Sequence, residues 1–152
     1  AFLYVWRMTP MGRRNARKLA FYLLFQYDFV DYSESLDEIK EVKDTFFSVN
    51  TEITEDDRKY IESTSDGAMQ HINEIDGLLD KYAKGWTVER MSKVDKAILR
   101  LAVYEIKYAP DVPDGVAANE AVELAKTFST DEAPAFVNGI LGKIINGSEE
   151  NV

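Results

Sequence analysis

VDKAILRLAVYEIKY, residues 94–108, places apolar side chains on nearly every side of the helix it would form, and its reading decides the fold. Such a helix has no face to give to water, so it belongs at a centre with neighbours packed around it. Pro110 and Pro113 end it, because proline lacks the amide proton and disfavours helix in the residue before it. Downstream, Ala117 to Phe128 forms another helix. Ser129 and Glu132 have the spacing of a capping box that opens a last helix through Phe136, Val137, Ile140, Leu141 and Ile144, stopping before Gly147.

Upstream, Thr54 followed by Glu55, Asp56 and Asp57 puts a cap and negative charge at a helix start. The apolar pattern continues through Tyr60, Ile61, Met69, Ile72, Ile75, Leu78, Leu79 and Tyr82, predicting one long helix that Gly85 closes. Gly67 and Gly77 lie inside it, where a bend or a close helix contact is expected. A shorter helix runs through Leu36, Ile39, Val42 and Phe46, with Ser33 or Ser35 as its cap. At the amino-terminal end, Ala16, Leu19, Ala20, Leu23, Leu24 and Tyr27 recur at spacings of three and four, the stripe of an amphipathic helix from near Gly12 to about Phe29. No stretch alternates like a strand. The fold class is therefore all-α, a single-domain bundle of about six or seven helices.

A chain of 152 residues is long enough for one core, and 45% hydrophobic with 30% charged residues is an ordinary globular balance. There is no cysteine and a single histidine, His71, which excludes a disulfide framework, a cysteine nucleophile and a Cys/His zinc site. No apolar run approaches the roughly 20 residues that cross a bilayer, and a cytoplasmic location fits. Residues 1–12, apolar and tryptophan-containing, are read as a tag or disordered lead, residues 13–147 as the domain and 148–152 as a tail.

The net charge of −9 is strongly segregated. Residues 1–27 hold Arg7, Arg13, Arg14, Arg17 and Lys18 with no acid, a local +5, while the remainder sets 13 bases against 27 acids, a local −14. Such asymmetry suits an end that meets a polyanion and an acidic body that repels indiscriminate nucleic-acid contact; it also suits an ordinary basic helix end on an acidic protein.

Catalytic chemistry finds little support. The acids at 55–57 read as a helix start rather than a paired acid and base in a cleft. Glu120 and Glu123 lack the Glu-x-x-His partners of a di-iron bundle, and no phosphate loop, nucleophile elbow or dinucleotide fingerprint occurs. His71 reads as a surface or boundary residue. We expect no catalytic residue, no metal and no cofactor.

The first helix is different, since a helical wheel puts Arg14, Arg17 and Lys18 on the same broad side as Phe21 and Phe25. Cations neutralise phosphate, and rings can stack exposed bases for about 1–3 kcal/mol each. The rings can equally complete the core or a protein contact.

From Arg13, RRNARKLAFYLLFQYDF resembles the opening of the NusB family of bacterial antitermination factors. VDKAILRLAVYEI (94–106) is similar to the family's central helix, and VPDGVAANEAVELAKTFSTDEAPAFVNGILGKI (112–144) to its carboxy-terminal signature, above all NEAVELAK followed by FVNGIL. The likeness runs from about residue 13 to 144, three motifs in order, and is thinnest over 31–60. The first dozen residues depart from it.

What the resemblance implies is a protein of two helical subdomains. It binds the boxA element of ribosomal-RNA leader transcripts together with NusE, a ribosomal small-subunit protein, and joins other Nus factors on RNA polymerase to help it resist termination. By position it implies an RNA face of Arg13, Arg14 and Arg17, which Lys18 joins from the helical wheel, with Phe136 as an RNA-facing aromatic, Lys126 at the margin and Glu132 as an acid that tempers affinity. It also implies a protein-partner face with Phe25 and Asp95, and Tyr104 either there or in the core. Asn119 and Asn138 are read as helix-capping or pinning residues.

Two other readings stand beside it. The same domain occurs fused to ribosomal-RNA cytosine methyltransferases, for which we expect no room beyond residue 144. A helical protein-interaction scaffold or homodimer without specific RNA binding is the other, and it predicts feeble affinity blind to RNA sequence.

A carboxylate among phosphates costs Coulomb energy. Glu132→Gln is therefore expected to tighten RNA binding, measured as a lower Kd at low salt; an unchanged Kd removes that role from Glu132.

Overall fold

The computed structural model describes residues 13–30 and 37–150, with side chains through residue 147. Among these residues there are seven α-helices and no strand: α1 (Arg14–Tyr27), α2 (Asp37–Val49), α3 (Glu55–Gln70), α4 (Ile72–Tyr82), α5 (Lys93–Tyr108), α6 (Asp114–Phe128) and α7 (Ala133–Glu150), with a 3₁₀ turn at Val88–Arg90. The expected caps Ser33 and Ser35, the first apolar position Leu36 of the second helix, and the lead at 1–12 lie outside the described residues. The chain divides between Ser65 and Asp66 into two compact units, the two subdomains that the resemblance implied.

In the first unit, α1 packs on α2. The predicted stripe of α1 is buried at Ala16, Ala20, Leu23, Leu24 and Tyr27, joined by Phe21, while Leu19 stays half-buried. Facing it, α2 contributes Ile39, Phe46 and Phe47. The Thr54 hydroxyl caps α3 by accepting the Asp57 N–H at 3.2 Å, and the three acids of the first turn complement the helix dipole.

The second unit is organised around α5. Ser92, in extended conformation, accepts the Asp95 N–H at 3.1 Å, and Asp95 and Lys107 sit at the ends where the dipole favours their charges. Ile98, Leu99 and Val103 are wholly removed from solvent, and α4, α6 and α7 all pack on α5. Each such side chain contributes about 1.5–3 kcal/mol through burial. Arg100 and Glu105 are charged yet buried, at 6% and 1% exposure, and Arg100 donates from Nε and Nη2 to the two carboxylate oxygens of Asp76 at 2.9 and 2.8 Å. That bidentate fork ties α4 to α5 in a fixed register.

Four expectations need correction. The long helix through residues 55–85 is two helices, broken at His71 (φ −106°, ψ 19°) rather than at Gly67 or Gly77. There the imidazole stacks on Tyr108 of α5, centroids 3.9 Å apart and planes 12° off parallel, and Gly67 leaves no room for a Cβ against the Tyr104 ring. The main chain follows α5 at the cost of a kink.

The helix expected from Ala117 begins at Asp114, because Pro113 presets the entry (φ −60°, ψ 141°) and its carbonyl accepts the N–H groups of Val116 and Ala117. The capping box does not form. Ser129 ends α6 instead, its N–H reaching the Ala125 carbonyl at 3.0 Å, and its hydroxyl donates to Asp95 Oδ1 at 2.6 Å. The last helix passes through Gly147 to Glu150; that glycine is a contact site, where a Cβ would overlap the Tyr82 ring. α4 ends at Tyr82 with Ala83 as its cap, and Gly85 takes the left-handed conformation, φ 77°, in the turn two residues beyond.

The Tyr108 hydroxyl donates to Glu74 Oε2, whose carboxylate, with desolvation adding to it, pushes the phenol from its ordinary 10.0 to about 12. A phenol pKa raised by folding contributes stability that is whole below pH 10.0 and is lost as pH climbs through about 12. Glu74→Gln is expected to bring the phenolate titration of Tyr108 back toward 10.0, followed by ultraviolet absorbance against a Tyr108→Phe blank; an unmoved titration refutes the assignment to Glu74.

Candidate nucleic-acid interface

The start of α1 is built against the rule that most of the other helices follow. Acids occupy the first turns of α2, α3, α4, α5 and α6, whereas α1 has none there and its cap position, Arg13, makes no side-chain capping bond. Cations at a helix amino terminus oppose the dipole by about 0.3–1 kcal/mol each. The arginines therefore add positive charge at a helix end whose dipole already favours an anion.

The four basic residues are not equivalent. Arg14 is exposed, Arg13 and Lys18 are half-buried, and Arg17 is only 2% exposed. The wheel grouped Arg17 with the outward cations, but the structure turns it to the core side of α1. Its guanidinium carbon lies 5.8 Å from the centre of the Tyr60 ring on α3, and that of Arg13 lies 5.2 Å from the same ring. A cation over an aromatic face gains about 0.5–1 kcal/mol when exposed and about 2 when desolvated.

The rings divide likewise. Phe21 is core at 3% exposure. Phe25 is half-buried and meets Phe29 edge-on at 5.1 Å, and Phe29 is 63% exposed, so the pair presents an aromatic edge at the far end of α1. Beside α1 opens a cavity of about 460 Å³ lined by Asn15, Leu19, Asn50, Glu52, Ile53 and Asp57 among others.

In the second unit, Lys126 is exposed near the end of α6 and paired with Glu123 at 3.2 Å. Glu132 is exposed just ahead of α7, and Phe136 is half-buried one turn into it. Asp95 is fastened to the same α6–α7 turn through Ser129. Tyr104 packs against Gly67 and stacks with Tyr108 at 5.7 Å; burial, then the charges of Glu105 and Asp111, raise its pKa.

The structure thus gathers Arg13, Arg14, Arg17, Lys18 and Phe25 on one helix, and Lys126, Glu132, Phe136 and Asp95 about one turn of the other unit. Sequence reading missed Tyr60, which it placed in an apolar stripe, and the Ser129–Asp95 tie. Both are contacts between elements, with no local signal. Among the described residues, no group of three or more potential ligands could hold a metal ion and no helix is long and apolar enough to cross a membrane.

Residues 14–146 match the model of the NusB family. The transcription antitermination protein NusB of Symbiobacterium thermophilum is 48% identical over 141 residues, 90% of this chain and 91% of the relative. That of Agathobacter rectalis is 44% identical over 133 residues, 88% of this chain and 98% of the relative. Among solved structures, the antitermination factors NusB and NusE in complex with double-stranded RNA include a chain that superposes with a TM-score of 0.77 at 27% identity, covering 89% of this chain and 96% of that one.

The contrast between the arginines is measurable without any ligand. Arg17→Gln should lower folding stability by about 1–3 kcal/mol in urea unfolding, and Arg14→Gln should change it by no more than about 0.5 kcal/mol. Equal effects at the two positions contradict the burial of Arg17.

Proposed function

The chain belongs to the NusB family, and from that premise we propose that it is a transcription antitermination factor that binds boxA RNA of ribosomal-RNA leader transcripts together with NusE. With other Nus factors it then helps RNA polymerase resist termination. The observation that carries the RNA reading is the start of α1: a run of cations on a helix end without a single first-turn acid, in a protein of net charge −9. Local attraction and global repulsion together favour an RNA held at one place over RNA held anywhere.

In this reading Arg13, Arg14 and Lys18 meet phosphate, Arg17 supports them from the core side, and Phe136 offers a ring to an unstacked base. Lys126 adds charge at the margin and Glu132 subtracts it. Phe25 and Asp95 serve the protein partner, Phe25 through the aromatic edge it shares with Phe29; Tyr104 acts mainly through its packing. The work is adaptor work, without a chemical step, and is placed in the cytoplasm with the transcription machinery.

The reading is tested by titrating labelled boxA RNA and a scrambled control at two salt concentrations, with and without NusE. BoxA RNA should bind selectively, and more tightly with NusE. Arg13→Ala combined with Arg14→Ala should reduce the slope of log K against log salt by about 1.4, two phosphate contacts on a single strand. Equal, feeble binding to both RNAs under every condition would leave a helical protein-interaction module in its place.

A further inference from the structure

Two arginines one helical turn apart, Arg13 and Arg17, share one aromatic ring from another helix. Their guanidinium carbons lie 5.2 and 5.8 Å from the centre of Tyr60. Tyr60 is half-buried on α3, Arg13 is half-buried, and Arg17 is 2% exposed. Of the two cations that share the ring, one is therefore buried and the other half-buried.

Like charges this close repel, and the negative face of a ring offsets part of that repulsion for both. The manner of holding matters as much. A ring engages the plane of a guanidinium, whereas phosphate is met by its N–H edge in a two-pronged contact. Stacking and phosphate binding are thus compatible on one arginine. A side chain with several rotatable bonds loses less freedom on meeting its ligand if it is already oriented.

We propose that Tyr60 is a positioning residue for RNA binding, its ring seated between α3 and the start of α1 so that Arg13 meets phosphate pre-oriented, with Arg17 as the buried member that keeps the ring in register. The inference rests on the RNA-binding reading above and deepens it. It assigns a part of the RNA face to a residue of α3 that touches no RNA.

The experiment is the boxA titration repeated on the full chain. Tyr60→Phe keeps the ring and should bind within about two-fold of the original protein. Tyr60→Leu keeps apolar bulk without a ring and should bind about three- to ten-fold more weakly. In an Arg13→Gln background the same Tyr60→Leu change should cost nothing further, since a residue that acts through Arg13 has nothing left to position. A series of fluorinated phenylalanines at position 60 keeps the shape while draining electron density from the ring face. Affinity should fall stepwise along the series, a response that packing alone does not give, and this arm stands even if Tyr60→Leu fails to fold. Flat affinity along the series, in a protein that still prefers boxA to the scrambled RNA, overturns the role of Tyr60 and leaves the RNA reading intact. Loss of that preference in the unsubstituted protein overturns both.

Discussion

The second unit depends on one constraint: α5 cannot face water. With Ile98, Leu99, Leu101 and Val103 spread around its circumference and all essentially removed from solvent, the helix is stable only where α4, α6 and α7 cover it. Burial of this kind is non-directional and would tolerate sliding of one helix past another. Arg100 removes that freedom. Its fork on Asp76 needs both carboxylate oxygens within reach of Nε and Nη2, a geometry that one register of α4 on α5 provides. Apolar area supplies the stability, and the Arg100–Asp76 pair sets the register of α4 on α5.

The elements legible in the sequence were those whose determinants lie within a turn or two of each other. The stripe of α1, the all-round apolar character of α5, the Thr54 cap and the turn at Gly85 are local patterns, and the structure has them in place. The features that escaped are set by distant partners. The break at His71 depends on Tyr108, which stacks on its ring from another helix. Ser129 and Glu132 have the spacing of a capping box, but the Ser129 hydroxyl finds Asp95, 34 positions away. Gly147 has the look of a helix stop and proves to be a notch for Tyr82. The candidate site divides the same way: basic charge on α1 was plain to read, while the inward turn of Arg17 and its ring on α3 needed the packing of one helix on another.

Charge is distributed so that each part does a separate job. Five helices place acids in their first turns, which steadies those helices and, summed, gives the acidic body that discourages loose contact with nucleic acid. Among the described helices, the start of α1 is the one that sets cations there with no acid beside them. On the RNA-binding reading, selectivity begins with this contrast before any base is touched: a strand is drawn to one end and turned away from the rest.

At the start of α1, charge is set against the helix dipole rather than with it. Arg13 gives no side-chain cap and the first turn holds no acid, whereas most of the sibling helices carry such an acid in their own sequence. A phosphate supplied from outside would occupy the place of that missing acid. On the RNA-binding reading, binding would thus steady the helix that does the binding, because the charge of the strand would relieve a dipole conflict that α1 leaves in its own sequence.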